Sequence, residues 1–246
     1  MDRTEIPADR SSLGSFVVIA EKTSARIRGI IEDSAKTPAA EGSEARKIGD
    51  YFASFMDEAR IEQLGAAPLK PELDRIAAIK TRKELSAVLG GQIRADVDVL
   101  NATNYYTDRI FGLWVAEDLN DTTQYRPYLL QGGLGMPDRE YYLGASPRYA
   151  ELRTKYQAHV ANMLRLAGVP EPEARAARVM ALEMAIAKAH VSVDETNDVP
   201  KGNTVWLRGE LAKKAPGLDW DAFLTAAGMA DQPRFCLLYT SDAADE

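Results

Sequence analysis

Cysteine and histidine are nearly missing from this chain, with one Cys and two His in 246 residues. A single thiol, Cys236, excludes an internal disulfide framework and any multi-cysteine zinc site. A zinc site on one helix needs two His at i and i+4 with a Glu between them, H-E-x-x-H. His159 and His190 instead fall in two different predicted helices, and both are read as structural side chains, interior or half-exposed. Basic residues are also in deficit: 30 Lys plus Arg stand against 37 Asp plus Glu, a net charge of −7, with no Lys/Arg-rich segment. That balance excludes nucleic acid as a partner. No apolar run approaches the roughly 20 residues that span a bilayer, and Met1–Glu5 leads to Pro7 without a signal-like stretch. No transmembrane segment is expected in this chain, and the residues leave its compartment open. A repeat of fixed period and low-complexity sequence are likewise missing, so a solenoid has no support.

What is present is helical periodicity. Phe16, Ile19, Ala20, Thr23, Ile27, Ile30 and Ile31 recur at helical spacing with charged residues between them, predicting a long amphipathic helix from about Leu13 to Ala35. A loop around Thr37, Pro38 and Gly42 leads to a second stripe from Ser43 through Ile48, Tyr51, Phe52, Phe55, Met56 and Ala59. Thr81 is placed to cap a helix carrying Leu85, Val88 and Leu89, with Gly90-Gly91 near its end. Ser146-Pro147 starts another helix that runs to Gly168, and Pro170 opens the next, with Val179, Leu182, Ile186, Ala189 and Val193 on one face. Shorter helices are expected near Leu207 to Lys214 and Trp220 to Ala227. Between Thr107 and Gln131, aromatic and β-branched runs flank Asn120-Asp121 and predict a β-hairpin. The fold class is therefore mainly α, a multi-helix domain with a small β-hairpin.

No residue set carries catalysis. There is no G-x-S-x-G elbow, and Cys236 has no histidine near it in sequence. The carboxylate pairs Asp57-Glu58, Glu117-Asp118 and Asp194-Glu195 are of the kind that solvated loops and helix faces supply. Gln131-Gly132-Gly133-Leu134-Gly135 matches neither G-x-G-x-x-G nor a G-K-[ST] ending, which rejects a nucleotide site. It reads as a tight backbone passage into a turn at Pro137-Asp138, with Tyr141 and Tyr142 as packing anchors that carry polar tips.

QGGLGMPDREYYL, from Gln131 to Leu143, resembles the segment that marks the amino-terminal domain of the neprilysin and endothelin-converting-enzyme family. EIPADRSSLGSF (Glu5 to Phe16), KIGDYFASFMDE (Lys47 to Glu58), HVANMLRLAG (His159 to Gly168) and DWDAFLTAAG (Asp219 to Gly228) are similar to the family in the same order. The resemblance implies a largely helical domain that closes over a catalytic domain and encloses a peptide-admitting chamber. It also implies that the zinc site, its H-E-x-x-H helix and the residues holding the substrate backbone belong to a carboxy-terminal half that this chain does not contain. The expected activity of the parent is zinc-dependent hydrolysis of peptides, with the chain alone inactive, binding no zinc and contributing no catalytic residue. Some members place an arginine where Ser12 stands here, with Arg10 two residues away, so that substrate-binding role is not carried over and the substrate-binding residues are unassigned. The near-lack of cysteine fits the bacterial members, which are commonly exported. The alternative is a non-catalytic helical protein-interaction module.

The last residues differ in character. CLLYTSDAADE, residues 236–246, resembles the in-frame translation of a transposase sequencing adapter, and it holds the only cysteine. The expected division is residues 1–235 as the amino-terminal helical domain, incomplete at both ends, and residues 236–246 as a non-native tail without packing partners.

Overall fold

The computed structural model describes residues 14–93, 107, 109–192, 195 and 203–238. The chain forms two units, one ending at Pro68 and the other beginning at Leu69.

In the first unit the long apolar stripe becomes α1, Ser15–Lys36, and the second becomes α2, Glu44–Phe55, followed by α3, Glu58–Leu64. Ser43 starts α2 by accepting a hydrogen bond from the Arg46 amide, and Asp57 starts α3 by accepting one from the Arg60 amide. These caps satisfy helix-end donors that have no partner within the helix. The stripe predicted as one helix to Ala59 is thus interrupted at Asp57, whose side chain starts α3. Gly49 lets α2 approach α1 closely: a methyl group there would lie 2.4 Å from the Ser34 carbonyl oxygen. Ile27, Ile30, Ile31, Ile48, Phe52 and Phe55 line the groove between the two helices.

The second unit contains α4, Lys70–Ala78; α5, Arg82–Gly91; β1, Phe111–Asp118; β2, Asp121–Gln131; α6, Glu140–Leu143; α7, Pro147–Leu166; and α8, Pro172–Ala189. It continues with β3, Thr204–Leu207; α9, Arg208–Lys214; α10, Trp220–Ala226; and β4, Arg234–Leu238. Thr81 and Glu84 form a reciprocal capping box at α5. Ser146 caps α7, and Gly168, with φ of 70°, follows it. α8 begins at Pro172, two residues after the proline that the sequence offered as its start.

The predicted hairpin is β1 and β2, paired antiparallel from Phe111 opposite Gln131 to Glu117 opposite Tyr125. It is half of a larger sheet of order β1-β2-β4-β3, in which β4 runs parallel to β2 and antiparallel to β3. The two-residue side-chain period gives the sheet two faces. Leu113, Leu129, Trp206, Phe235 and Leu237 join the main core with Leu211, Trp220, Phe223 and Leu224. Tyr128, Leu130 and Cys236 pack on the other face with Trp114 and Ala116. Pro127 stands on β2 opposite Val115, outside the Tyr128–Leu130 stretch that pairs with β4. A missing amide is tolerated there because β4 does not pair at that position.

Two expectations are corrected here. Asp118 is not a solvated carboxylate. It is 3% exposed and paired with the buried Arg126, whose Nε lies 2.6 Å from Asp118 Oδ2. The chain beyond Phe235 is also not partnerless, since Cys236–Leu238 complete β4 and Cys236 is fully buried. Burial pushes the Cys236 thiol up to about 11. Residues 239–246 lie outside the described residues.

Candidate functional site

The passage from Gln131 to Leu143 leaves the end of β2 and is fixed from three sides. Both polar atoms of the Gln131 amide bond to the Val191 backbone, Oε1 accepting at 3.1 Å and Nε2 donating at 3.4 Å. Gly132 passes so close to the chain before β1 that a methyl group would stand 2.2 Å from the Arg109 carbonyl oxygen. His190, at the end of α8, places Nε2 3.0 Å from the Gly132 carbonyl oxygen and is the donor in that contact. Its pKa is held below the usual histidine value, first by burial and then by the nearby Arg139 cation. The sequence reading of His190 as a structural side chain fits this position.

Further along, Gly135 leaves room for a phenol: a methyl group there would lie 1.8 Å from Tyr156 Oη. Glu183 of α8 gathers two hydroxyls, accepting from Tyr142 at 2.6 Å and from Tyr156 at 3.0 Å. Tyr142, 2% exposed, also accepts from the Met136 amide at 2.9 Å. Burial and the Glu183 carboxylate together raise its phenol well above the usual tyrosine value. Asp138 accepts from the Glu140 amide at 2.7 Å, which is the turn expected at Pro137-Asp138. Arg153 donates to the Tyr141 and Gly144 carbonyl oxygens and closes the far end. The Glu183 carboxylate at the centre of the clamp is thus engaged by two phenols, and side-chain donors hold the Gly132, Tyr141 and Gly144 carbonyl oxygens around it.

The other residues weighed for chemistry do not converge. His159 is exposed on α7. Asp57 caps a helix, Glu117 is exposed, and Glu195 accepts from Ser192, while Asp194 lies outside the described residues. Among the described residues no group of three or more His, Cys, Asp or Glu could hold a metal ion.

Beside His190 lies a cavity of about 270 Å³ that sequence reasoning did not anticipate, because its walls come from five separate stretches of chain. Phe111, Ile186, Trp206, Leu211 and Trp220 make it apolar, and Gln131, His190 and Lys214 bring polar groups to its wall.

Comparison with known proteins places these features in a family. The family model described as "Peptidase family M13" matches residues 1–242. Endothelin-converting enzyme-like 1 of Mus musculus is 28% identical over 226 residues, covering 89% of this chain and 28% of that protein. Neprilysin-3 of Drosophila melanogaster is 25% identical over 219 residues, covering 87% of this chain and 27% of that protein. The open state of the Mycobacterium tuberculosis zinc metalloprotease Zmp1 is similar in structure, with a TM-score of 0.74 and 29% identity over 97% of this chain and 36% of that one. This chain therefore spans about a third or less of the length of the relatives it matches, and with a family match across nearly all of its residues it belongs to peptidase family M13.

Proposed function

We propose that this chain is the amino-terminal, chamber-forming part of a zinc metalloendopeptidase that hydrolyses peptides, and that it is inactive on its own. The observation that carries the reading is the family match over residues 1–242 combined with coverage of only 28% of the relatives' length. The clamped passage from Gln131 to Leu143 supplies a rigid wall, while zinc and the groups that activate water belong to the catalytic half that the parent adds. In the parent, the metal's role is to polarise the scissile carbonyl and to activate a bound water. By family resemblance the parent is exported. No described helix is long and apolar enough to cross a membrane.

The division into native residues 1–235 and an adapter-derived 236–246 is part of the same proposal. Cys-Leu-Leu meets the apolar demand of β4 whatever its origin. Reading the DNA downstream of Phe235 tests it: an open frame that replaces residues 236–246 and reaches H-E-x-x-H supports the proposal, and a native stop codon after Glu246 sinks it. The biochemical test joins residues 1–235 to the carboxy-terminal half of a relative. The joined protein is expected to cleave a short peptide in a chelator-sensitive manner, whereas the chain alone does neither this nor retain one equivalent of zinc through dialysis.

The second reading, a non-catalytic interaction module, draws on one observation: Phe16, Ile19, Ile27 and Ile30 of α1 are all more than half exposed. Activity in the joined protein discriminates against it.

A further inference from the structure

The cavity beside His190 lies outside the Tyr142–Glu183 clamp, and its chemistry is lopsided. The space of about 270 Å³ is open on one side to solvent and large enough to admit an apolar body bigger than the benzene that a cavity of about 150 Å³ takes up. The polar groups at its wall are not equivalent. Gln131 is used up by the Val191 backbone, and His190 is neutral near pH 7 and spends its Nε2 hydrogen on Gly132. Lys214 is different. Its ammonium stands 4.9 Å from the centre of the Trp206 ring and 3.5 Å from Glu210 Oε2, while the same Glu210 oxygen accepts the Leu207 amide at 2.9 Å. The three N–H groups of Lys214 thus have one loose anionic partner, itself shared with the Leu207 amide, and among the described residues no other Lys or Arg lines the cavity. The Lys214 side chain is 38% exposed, so the hollow is apolar inside with a single cation at its solvent-facing mouth, which selects against amines, and the nearby Glu210 selects against multiply charged anions such as phosphate.

We propose that this cavity binds a small monocarboxylate with an apolar body of about six to ten carbons, its carboxylate on Lys214 and its body against Trp206 and Trp220. The proposal does not rest on peptidase activity, and it is made for the 246-residue chain, whose Leu237 on β4 forms part of the cavity wall. The two indoles at the wall make the site self-reporting, because a bound body displaces water from their rings.

The test titrates the full chain with octanoate, octanol and octylamine while following tryptophan fluorescence. Octanoate is expected to give a saturable change at one equivalent, with octanol and octylamine weaker by about ten-fold or more, the scale of a charge-assisted hydrogen bond. Lys214→Met should bring octanoate and octanol to within about two-fold of each other. Ala189→Leu, at the cavity wall on the last turn of α8, should weaken both ligands while leaving the unfolding midpoint in place. Equal affinity for octanoate and octylamine, a linear unsaturable response, or undiminished octanoate binding by Lys214→Met would each overturn the proposal.

Discussion

The two units of this chain are held by different kinds of contact. Between Gly14 and Pro68 the one buried residue among those described is Gly49, a residue with no side chain to bury, and α1 and α2 meet through its approach to Ser34. Between Leu69 and Leu238 the helices and sheet enclose Leu129, Leu211, Phe223, Leu224 and Phe235, all fully buried. α5 and α10 also cross at a glycine, Gly90, where a methyl group would lie 2.1 Å from the Phe223 carbonyl oxygen. The same crossing device therefore occurs with a core behind it and without one. Glycine contact fixes where two helices cross; burial of large side chains, at roughly 1.5–3 kcal/mol each, is what makes a region melt as a unit.

The strongest way to break this contrast is Phe223→Ala. All three tryptophans, Trp114, Trp206 and Trp220, belong to the second unit, so their fluorescence reports on it alone. Urea unfolding followed this way should lose about 3–5 kcal/mol, the usual cost of emptying a buried phenylalanine site. Amide exchange in α1 and α2 should be unchanged. An equal loss of protection there would show one cooperative unit and dissolve the distinction.

Arg126→Met probes whether the second unit also depends on charge. It strands the Asp118 carboxylate at the hairpin end, at a cost of about 3 kcal/mol. Asp118 is held below the usual aspartate range by the Asn120 amide first, then by Arg126. Because its folded pKa is depressed, its stabilisation is present above the unfolded value near 4 and is lost as pH falls through the lower folded value. Acid unfolding watched through the tryptophans should begin at a higher pH in the variant than in the unsubstituted protein.

Tyr142→Phe is the next step down. It leaves the Met136 amide without its acceptor and removes one donor from Glu183, for about 1–3 kcal/mol. The raised folded pKa means that this tyrosine stabilises the native state below about pH 10 and that the contribution falls as pH rises further. The phenylalanine variant should lose stability less steeply on the alkaline side, as read by thermal midpoints across that range.

The smallest effects sharpen the contrast inside the first unit. Gly29 has open space where a methyl group would go, so Gly29→Ala should gain up to about 1 kcal/mol of helix stability. Gly49→Ala meets the Ser34 carbonyl and should lower α1 and α2 protection instead. Hydrogen exchange by mass spectrometry reads opposite signs from one amino-acid change at two helical positions. Neither should move the tryptophan signal.

Local rules carried far in this chain because helix ends announce themselves over three or four residues. Ser43, Thr81 with Glu84, and Ser146 before Pro147 act as the caps their types suggest. The β1–β2 hairpin was equally legible from alternating aromatic and β-branched residues around a polar turn. β3 and β4 were not, since Thr204–Leu207 and Arg234–Leu238 are too short for alternation to separate them from a helix edge or a tail. At the site, the need for glycine and for anchoring tyrosines was visible in Gln131–Leu143. Their partner Glu183 was not, because it stands 41 positions from Tyr142 on a helix whose apolar stripe explains its fold without it. Asp118 escaped for a related reason: its adjacent acid, Glu117, made a solvated pair plausible, while the partner that buries it is the cation across the hairpin.

The place of β4 in the sheet also sets a timetable. A hairpin such as β1–β2 closes within about 1–10 μs of its residues being available, whereas the strand that covers Tyr128–Leu130 is encoded roughly a hundred positions later. During synthesis at about 5–20 residues per second, that side of β2 therefore waits on the order of 5–20 s for its neighbour. For that interval Leu129 and Leu130 lie on an open strand edge, the kind of surface on which nascent chains pair with one another. Protein yield in the cell should accordingly respond to translation speed and to holding chaperones more than the stability of the finished core would suggest.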